Sequence, residues 1–121
     1  MNNFKTYALS RLLEINFLGK EILLKQLDQA ETEIEEGFSY LFIKFKVLEP
    51  CDKFPYNVRV PVEMRAYQEG PPVVFLLHVI DGIVNELEIF TADSSKIDIT
   101  LIKFDTIQYE IDEEICNKKR E

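Results

Sequence analysis

Residues 73–91, VVFLLHVIDGIVNELEIFT, form the stretch that decides the fold. Two runs rich in Val, Ile, Leu and Phe flank the dipeptide Asp81-Gly82, and such residues suit a pleated strand. A two-residue type I′ turn needs positive φ at both central positions, which Asp-Gly adopts at little cost. The stretch therefore predicts a β-hairpin at the centre of a sheet.

The register implied by this turn separates the polar side chains of the hairpin. Counting back from Asp81-Gly82, His78 pairs with Asn85 on an otherwise apolar face. The same count sends Glu86 and Glu88 to the opposite face. His78 is the only histidine, and the register predicts that it lies in the core with a hydrogen bond to Asn85, because buried polar groups need partners.

The rest of the chain predicts helices first and strands afterwards. Residues 4–18 and 20–30 carry apolar side chains at helical spacing. Alternating strand patterns occupy 31–36, 38–48, 58–68, 97–104 and, more weakly, 106–111. Pro61 predicts an edge strand or a bulge nearby, and the charged end DEEICNKKRE is expected to fray. The order predicts an α+β fold in a single domain (1–121), with two N-terminal helices packed on an antiparallel sheet of about five or six strands.

Charge and composition exclude several classes of function. The net charge is −8, from 14 basic and 22 acidic residues, which argues against nucleic acid or an anionic membrane as a partner. No apolar run is long enough for a membrane helix, and the N-terminus has no signal-peptide pattern. Cys51 and Cys116 have no CxxC spacing, so two reduced thiols in a cytoplasmic protein are expected. The acidic balance permits a basic protein partner.

Motifs that carry chemistry are absent from the sequence. It has no P-loop, GxGxxG, HExxH, GxSxG or CxxC pattern. Glu86 and Glu88, with Glu63 on a neighbouring strand, could bind a hard cation, but no second histidine or Asp-rich loop completes a ligand set. The sequence therefore predicts no catalytic residues, no metal and no cofactor, and favours a non-enzymatic protein.

Five residues are the candidate partner-binding set. Arginine and tyrosine are over-represented in interface hot spots, and glutamates would face a basic partner. The set is Glu63, Arg65, Tyr67, Glu86 and Glu88. An equally weighted alternative is that Arg59 and Arg65 pair with Glu86 or Glu88 on the sheet surface.

The central motif resembles a family of small uncharacterised bacterial proteins. The residues that carry it are VPVEMRAYQEGPPVVFLLHVIDGIVNELEIF and, before them, LGKEILLKQLDQA. The matching patterns are G-x-E-x-L-x-x-Q-L, V-P-V-E and L-L-H-V-x-D-G-x-x-x-E-L-E-I, over roughly residues 10–97. This chain has Glu69-Gly70-Pro71 where such families have Asp-Gly before the hairpin. The resemblance implies a shared fold and no particular activity; size and acidity are also similar to immunity proteins of bacterial toxin systems.

These observations predict a small cytoplasmic protein-binding module, with toxin neutralisation as its most concrete form. One alternative is a small-ligand-binding protein or enzyme with a pocket near His78. Another is a homodimer joined through an edge strand.

Overall fold

A computed structural model describes residues 2–116. Two helices are followed by six strands, as the sequence predicts. The elements are α1 (Asn2–Leu12), α2 (Lys20–Gln29), β1 (Glu31–Glu36), β2 (Tyr40–Lys46), β3 (Val62–Gln68), β4 (Pro72–Ile80), β5 (Ile83–Thr91) and β6 (Ile102–Ile111). Short 3-10 turns lie at Ile99–Leu101 and Glu113–Ile115.

All six strands belong to one antiparallel sheet in the order β1-β2-β5-β4-β3-β6. The predicted α+β fold is confirmed, and the central hairpin β4–β5 occupies the two middle positions. The strands predicted at 31–36 and 38–48 also pair with each other. The edges of the sheet are therefore β1 and β6.

The core lies between the helices and one face of the sheet. Phe75, Leu77 and Leu87 are fully buried there, in one cluster with Leu12 and Leu23 from the two helices. Burying such side chains contributes about 1.5–3 kcal/mol each, so this layer is the main source of stability. We call this side of the sheet the covered face.

The turn of the central hairpin has the predicted geometry. Asp81 and Gly82 have φ of 52° and 80°, the positive values that a type I′ turn requires. Ile80 pairs with Ile83, directly across the loop. The turn prediction is confirmed.

The predicted pairing of His78 with Asn85 is wrong. Val79 pairs with Val84, but His78 pairs with Glu86, so Asn85 is the extra residue of a β-bulge. From His78 to Val73, each residue of β4 pairs with a β5 residue one position later than the regular register predicts. The β5 side chains predicted on one face of the sheet therefore lie on the other. His78, Glu86 and Glu88 therefore lie on the same face, and the predicted separation of histidine from glutamates is also wrong.

The physical reason for the bulge is the burial of apolar side chains. A regular register would place Glu86 and Glu88 beside Phe75 and Leu77 on the covered face. Burying two unpaired carboxylates costs far more free energy than one unpaired strand residue. The bulge instead gives that face Leu87 and Ile89, both fully buried.

Other boundaries differ from the sequence predictions for local reasons. α1 ends at Leu12 rather than 18, because the Lys20 ammonium binds the Leu13 carbonyl at 2.8 Å and the chain turns to bury Phe17. The two strands predicted after 97 form one strand, β6, preceded by a 3-10 turn. β3 begins directly after Pro61 and is an inner strand, with a bulge towards β6 between Arg65 and Tyr67.

The expected fraying of the C-terminal end is wrong for its first residues. Ile115 is fully buried, and its carbonyl accepts a hydrogen bond from the Leu18 N–H at 3.0 Å. The basic residues 118–120 lie outside the described part of the chain.

Candidate functional site

The face of the sheet opposite the helices carries the candidate site, and we call it the open face. Its central strands alternate buried and half-exposed residues, and the half-exposed ones point away from the core cluster. By register it presents mainly polar and aromatic side chains, with four aliphatic ones and Pro72 among them. They are Glu31, Glu33, Glu35, Tyr40, Phe42, Lys44, Lys46, Glu63, Arg65, Tyr67, Pro72, Val74, Leu76, His78, Ile80, Ile83, Glu86, Glu88, Phe90, Lys103, Gln108 and Glu110.

The middle of the open face is aromatic and aliphatic. Tyr40 and Phe42 stack with ring centroids 4.5 Å apart, and Phe90 lies opposite Tyr40 on the adjacent strand. Phe90 is also opposite Val74, which is only 5% exposed although it lies outside the main core cluster. Leu76, the next residue of β4 on the same face, is half-buried. These five residues form an apolar centre on an otherwise charged surface.

His78 lies at one side of this centre and contacts a glutamate. Its Nε2 lies 2.7 Å from Oε1 of Glu88, with the two side chains 14% and 30% exposed. Because an ionised carboxylate only accepts hydrogen bonds, Nε2–H is the donor. Nδ1 of the same ring is buried and has no hydrogen-bond partner within residues 2–116.

Glu86 completes a three-residue group with His78 and Glu88. It lies directly opposite His78, whereas Glu88 is the diagonal neighbour. One ligand atom from each residue can be chosen so that all three atoms lie within 4.8 Å of one another. Imidazole nitrogen and carboxylate oxygen are ligands that divalent transition metals accept, so this group has the composition of a metal site.

A lysine lies beside the group but makes no ion pair with its glutamates. Lys44 is opposite Glu86 on β2, yet its Nζ bonds Oε1 of Glu35 on the edge strand at 3.2 Å. The hydrogen bond from Lys44 to Glu35 raises the pKa of Lys44 above its ordinary value. Within residues 2–116, Glu86 itself has no hydrogen bond or ion pair.

The five predicted partner-binding residues all lie on the open face, but in two groups. Glu63, Arg65 and Tyr67 are on β3, Glu86 and Glu88 are on β5, and β4 lies between them. Arg65 Nε contacts Oε2 of Glu63 at 2.9 Å rather than a carboxylate of β5. Their side chains are 48% and 24% exposed, so the pair is open to solvent and contributes little stability.

The sequence contains a signal for the group of His78, Glu86 and Glu88, which the regular hairpin register did not predict. Val84, Leu87 and Ile89 are the apolar residues of β5 that the core needs, and their spacing cannot fit a period of two. An extra residue between Val84 and Leu87 resolves the conflict, and Asn85 is a polar residue suited to that place.

Clefts lie away from His78. One, of about 440 Å³, is at the end of the sheet between Phe38, Tyr40 and Ile97. Another of about 390 Å³ lies beside α2 and is lined by Gln26 and Cys51. Neither includes the histidine group, so His78 belongs to a surface and not to either of these clefts.

No family model matches this chain, and comparisons with curated proteins and with solved structures found no match. None of the helices within residues 2–116 is long and apolar enough to cross a membrane. The helices and the single antiparallel sheet define an α+β protein with one open sheet face.

Proposed function

We propose that this protein is a non-enzymatic protein-binding module whose docking surface is the open face. Its partner would present a basic surface with an apolar centre. We further propose that it acts in the cytoplasm, that it belongs with the small bacterial proteins it resembles, and that neutralisation of a toxin is the form this binding takes.

The observation that carries the proposal is the apolar centre on a sheet face that neither helix covers. Tyr40, Phe42 and Phe90 are partly exposed together with Leu76, and charged residues surround them. Protein interfaces have this anatomy, with an apolar and aromatic centre inside a polar rim. Scattered surface hydrophobic residues need no explanation, whereas a contiguous group of aromatic residues does.

Charge supports a basic partner. On the open face glutamates outnumber lysines and arginines, and the whole chain carries a net charge of −8. Complementary charge speeds encounter and disfavours acidic competitors. Neutralisation would then be occlusion of the basic surface by the acidic rim, with Arg65 and Tyr67 as anchors.

An enzyme or small-ligand protein with a pocket near His78 is the second candidate, and a single observation favours it. The half-buried contact between His78 and Glu88 is an arrangement that general acid-base catalysis can use. However, the two clefts of about 440 and 390 Å³ do not include it. The binding module is therefore the better-supported proposal.

The test is capture of a partner with a surface-specific loss of binding. The tagged full-length chain is incubated with lysate of the source organism, and the double variant Phe42→Ala/Phe90→Ala is processed in parallel. We expect a basic protein that the wild type retains and the double variant loses. Co-expression with the captured protein should then restore growth if that protein is a toxin.

The matched control is Leu24→Ala, which removes an exposed apolar side chain from α2 on the opposite side of the molecule. A partner that is lost equally from this variant, or retained by the open-face variant, would contradict the proposed docking surface. Failure to capture any stoichiometric partner would contradict the proposed function itself.

A further inference from the structure

We propose that His78, Glu86 and Glu88 bind a divalent transition metal ion of the Zn²⁺ type on the open face. This site does not depend on the proposed docking function, because the isolated chain supplies all three ligands. The bulge at Asn85 creates the site by bringing the only imidazole and two carboxylates to the same side of adjacent strands.

The geometry fits a three-ligand site after small movements. Zn–N and Zn–O bonds of about 2.0–2.2 Å place tetrahedral ligand atoms about 3.3–3.6 Å apart. The candidate ligand atoms already lie within 4.8 Å of one another, and the Nε2 to Oε1 distance between His78 and Glu88 is 2.7 Å. For Nε2 of His78 to bind the ion, its hydrogen must move to Nδ1 of the same ring, and the 2.7 Å contact with Glu88 must widen. Rotation of the two glutamate side chains, which have several free torsions, supplies these movements.

The ligand types select the class of metal. Imidazole nitrogen suits Zn²⁺ and its neighbours in the first transition series, whereas Ca²⁺ and Mg²⁺ prefer oxygen ligands only. A neutral histidine and two carboxylates carry two negative charges, which one divalent ion cancels. Three protein ligands leave one tetrahedral position for water, and the half-exposed side chains allow water to reach it.

The surroundings leave Glu86 available, whereas Glu88 already contacts His78. Lys44, across the strand from Glu86, attracts this carboxylate weakly, but its ammonium is hydrogen-bonded to Glu35 at 3.2 Å. Glu86 has no hydrogen bond or ion pair with residues 2–116, although it is half-buried. A carboxylate desolvated in this way gains more from a bound cation than a fully hydrated one.

A structural ion pair between His78 and Glu88 is the rival explanation. It would account for the 2.7 Å contact without any metal, and it would leave Glu86 as a solvated surface residue. The two explanations differ in whether Glu86 and Glu88 act together on a bound ion, which titration with metal measures directly.

The experiment uses the full-length chain without a histidine tag, with Cys51→Ser and Cys116→Ser to remove thiol ligands. Zn²⁺ is titrated by calorimetry, Co²⁺ by visible absorption, and Ca²⁺ serves as the oxygen-preferring comparison. Because His78 is the only histidine, its imidazole resonances report on coordination without ambiguity. We expect one Zn²⁺ per chain, a shift of those resonances on binding, and no comparable response to Ca²⁺.

Variants then assign the ligands. His78→Ala, Glu86→Gln and Glu88→Gln should each weaken Zn²⁺ binding at least about tenfold. Glu110→Gln, a glutamate on the same face but on β6, should bind as the parent does. Circular dichroism confirms that each variant is folded, and the imidazole resonances of the parent provide a result even where a variant does not fold.

The proposal is overturned by any of three results. The first is no saturable Zn²⁺ binding up to about 1 mM. The second is binding that leaves the imidazole resonances unchanged. The third is Zn²⁺ affinity equal to that of the parent in both folded variants, Glu86→Gln and Glu88→Gln, which would leave only the ion pair.

Discussion

At the scale of single residues, Asn85 has the largest consequence for the surface chemistry. As the unpaired residue of the bulge, it determines that Glu86 and not Asn85 lies opposite His78. The spacing of side chains along a strand fixes which face each one occupies, so one extra residue changes every later assignment. The candidate site on this sheet therefore depends on Asn85 being left out of the strand pairing.

Gln26 is a second residue whose effect extends beyond its own element. It is 2% exposed, its Nε2 donates to the carbonyls of Asp52 and Gly82, and its Oε1 accepts from the Val84 N–H. This one side chain thus links helix α2 to the loop after β2, to the hairpin turn and to the start of the bulge.

Replacement of Gln26 by Leu should destabilise the protein by about 2–4 kcal/mol, since it leaves buried backbone groups without partners. Urea unfolding measures the loss. Gln29→Leu is the matched control, because Gln29 is exposed on the same helix, and it should change stability by less than about 0.5 kcal/mol. Equal effects of the two substitutions would show that the buried contacts of Gln26 do not stabilise the fold.

Asp98 should make stability depend on pH. The Thr100 hydroxyl and N–H donate to its carboxylate at 2.6 and 3.0 Å, and these hydrogen bonds, the hydroxyl first, lower the pKa of Asp98 from 3.8. A lowered pKa in the folded state adds stability above pH 3.8, and this is lost as pH falls through the folded-state value.

The stability difference between wild type and Asp98→Asn should therefore be largest near neutral pH and shrink below pH 3.8. Thermal unfolding from pH 7 to pH 2.5 measures it. Thr100→Val removes the hydroxyl donor and should weaken the same pH dependence. A difference that stays constant or grows in acid would contradict the assigned hydrogen bonds.

At the scale of elements, the turns and hairpins set by neighbouring residues were predicted correctly, whereas features that depend on distant contacts were not. The hairpin turn was predictable because Asp81-Gly82 determines its own backbone angles, and the β1–β2 hairpin because its alternation is clear. The bulge was missed because a regular pairing counts only from the turn, although the spacing of Val84, Leu87 and Ile89 signals an extra residue once all three are required in the core. The early end of α1 depends on Lys20, a contact made across a turn.

Deletion of Asn85 tests the bulge as an element. Without it Val84 and Glu86 are adjacent and keep their partners Val79 and His78, so the sheet should retain its register at a cost of no more than about 1–2 kcal/mol. Deletion of Glu88, another residue outside the core, should instead prevent cooperative folding, because it displaces core side chains of β5. Denaturant unfolding of both variants distinguishes the cases, and similar losses would argue against the bulge.

At the scale of the whole molecule, the two faces of the sheet have different tasks. The covered face joins the strands to both helices through buried aliphatic side chains and Phe75. The open face carries charges and an aromatic centre, and on its edge strand β1 the glutamates 31, 33 and 35 are exposed. Like charges along an edge oppose pairing with a second copy, so a homodimer through β1 is disfavoured.

This division predicts unequal effects of two phenylalanine substitutions. Phe75→Ala, in the covered face, should cost about 3–5 kcal/mol because the side chain is fully buried. Phe42→Ala, in the open face, should cost clearly less and act mainly on partner binding. Chemical denaturation compares them, and an equal loss would mean that the open face is part of the structural core.

The position of His78, Glu86 and Glu88 on one face of the sheet underlies the candidate site. Nuclear Overhauser contacts across β4 and β5 in a uniformly labelled sample test it most directly. We expect contacts from His78 to Glu86 and Glu88, with Leu87 protons near Leu77. Contacts from His78 to Asn85, together with Glu86 protons near Leu77, would restore the regular register and contradict it.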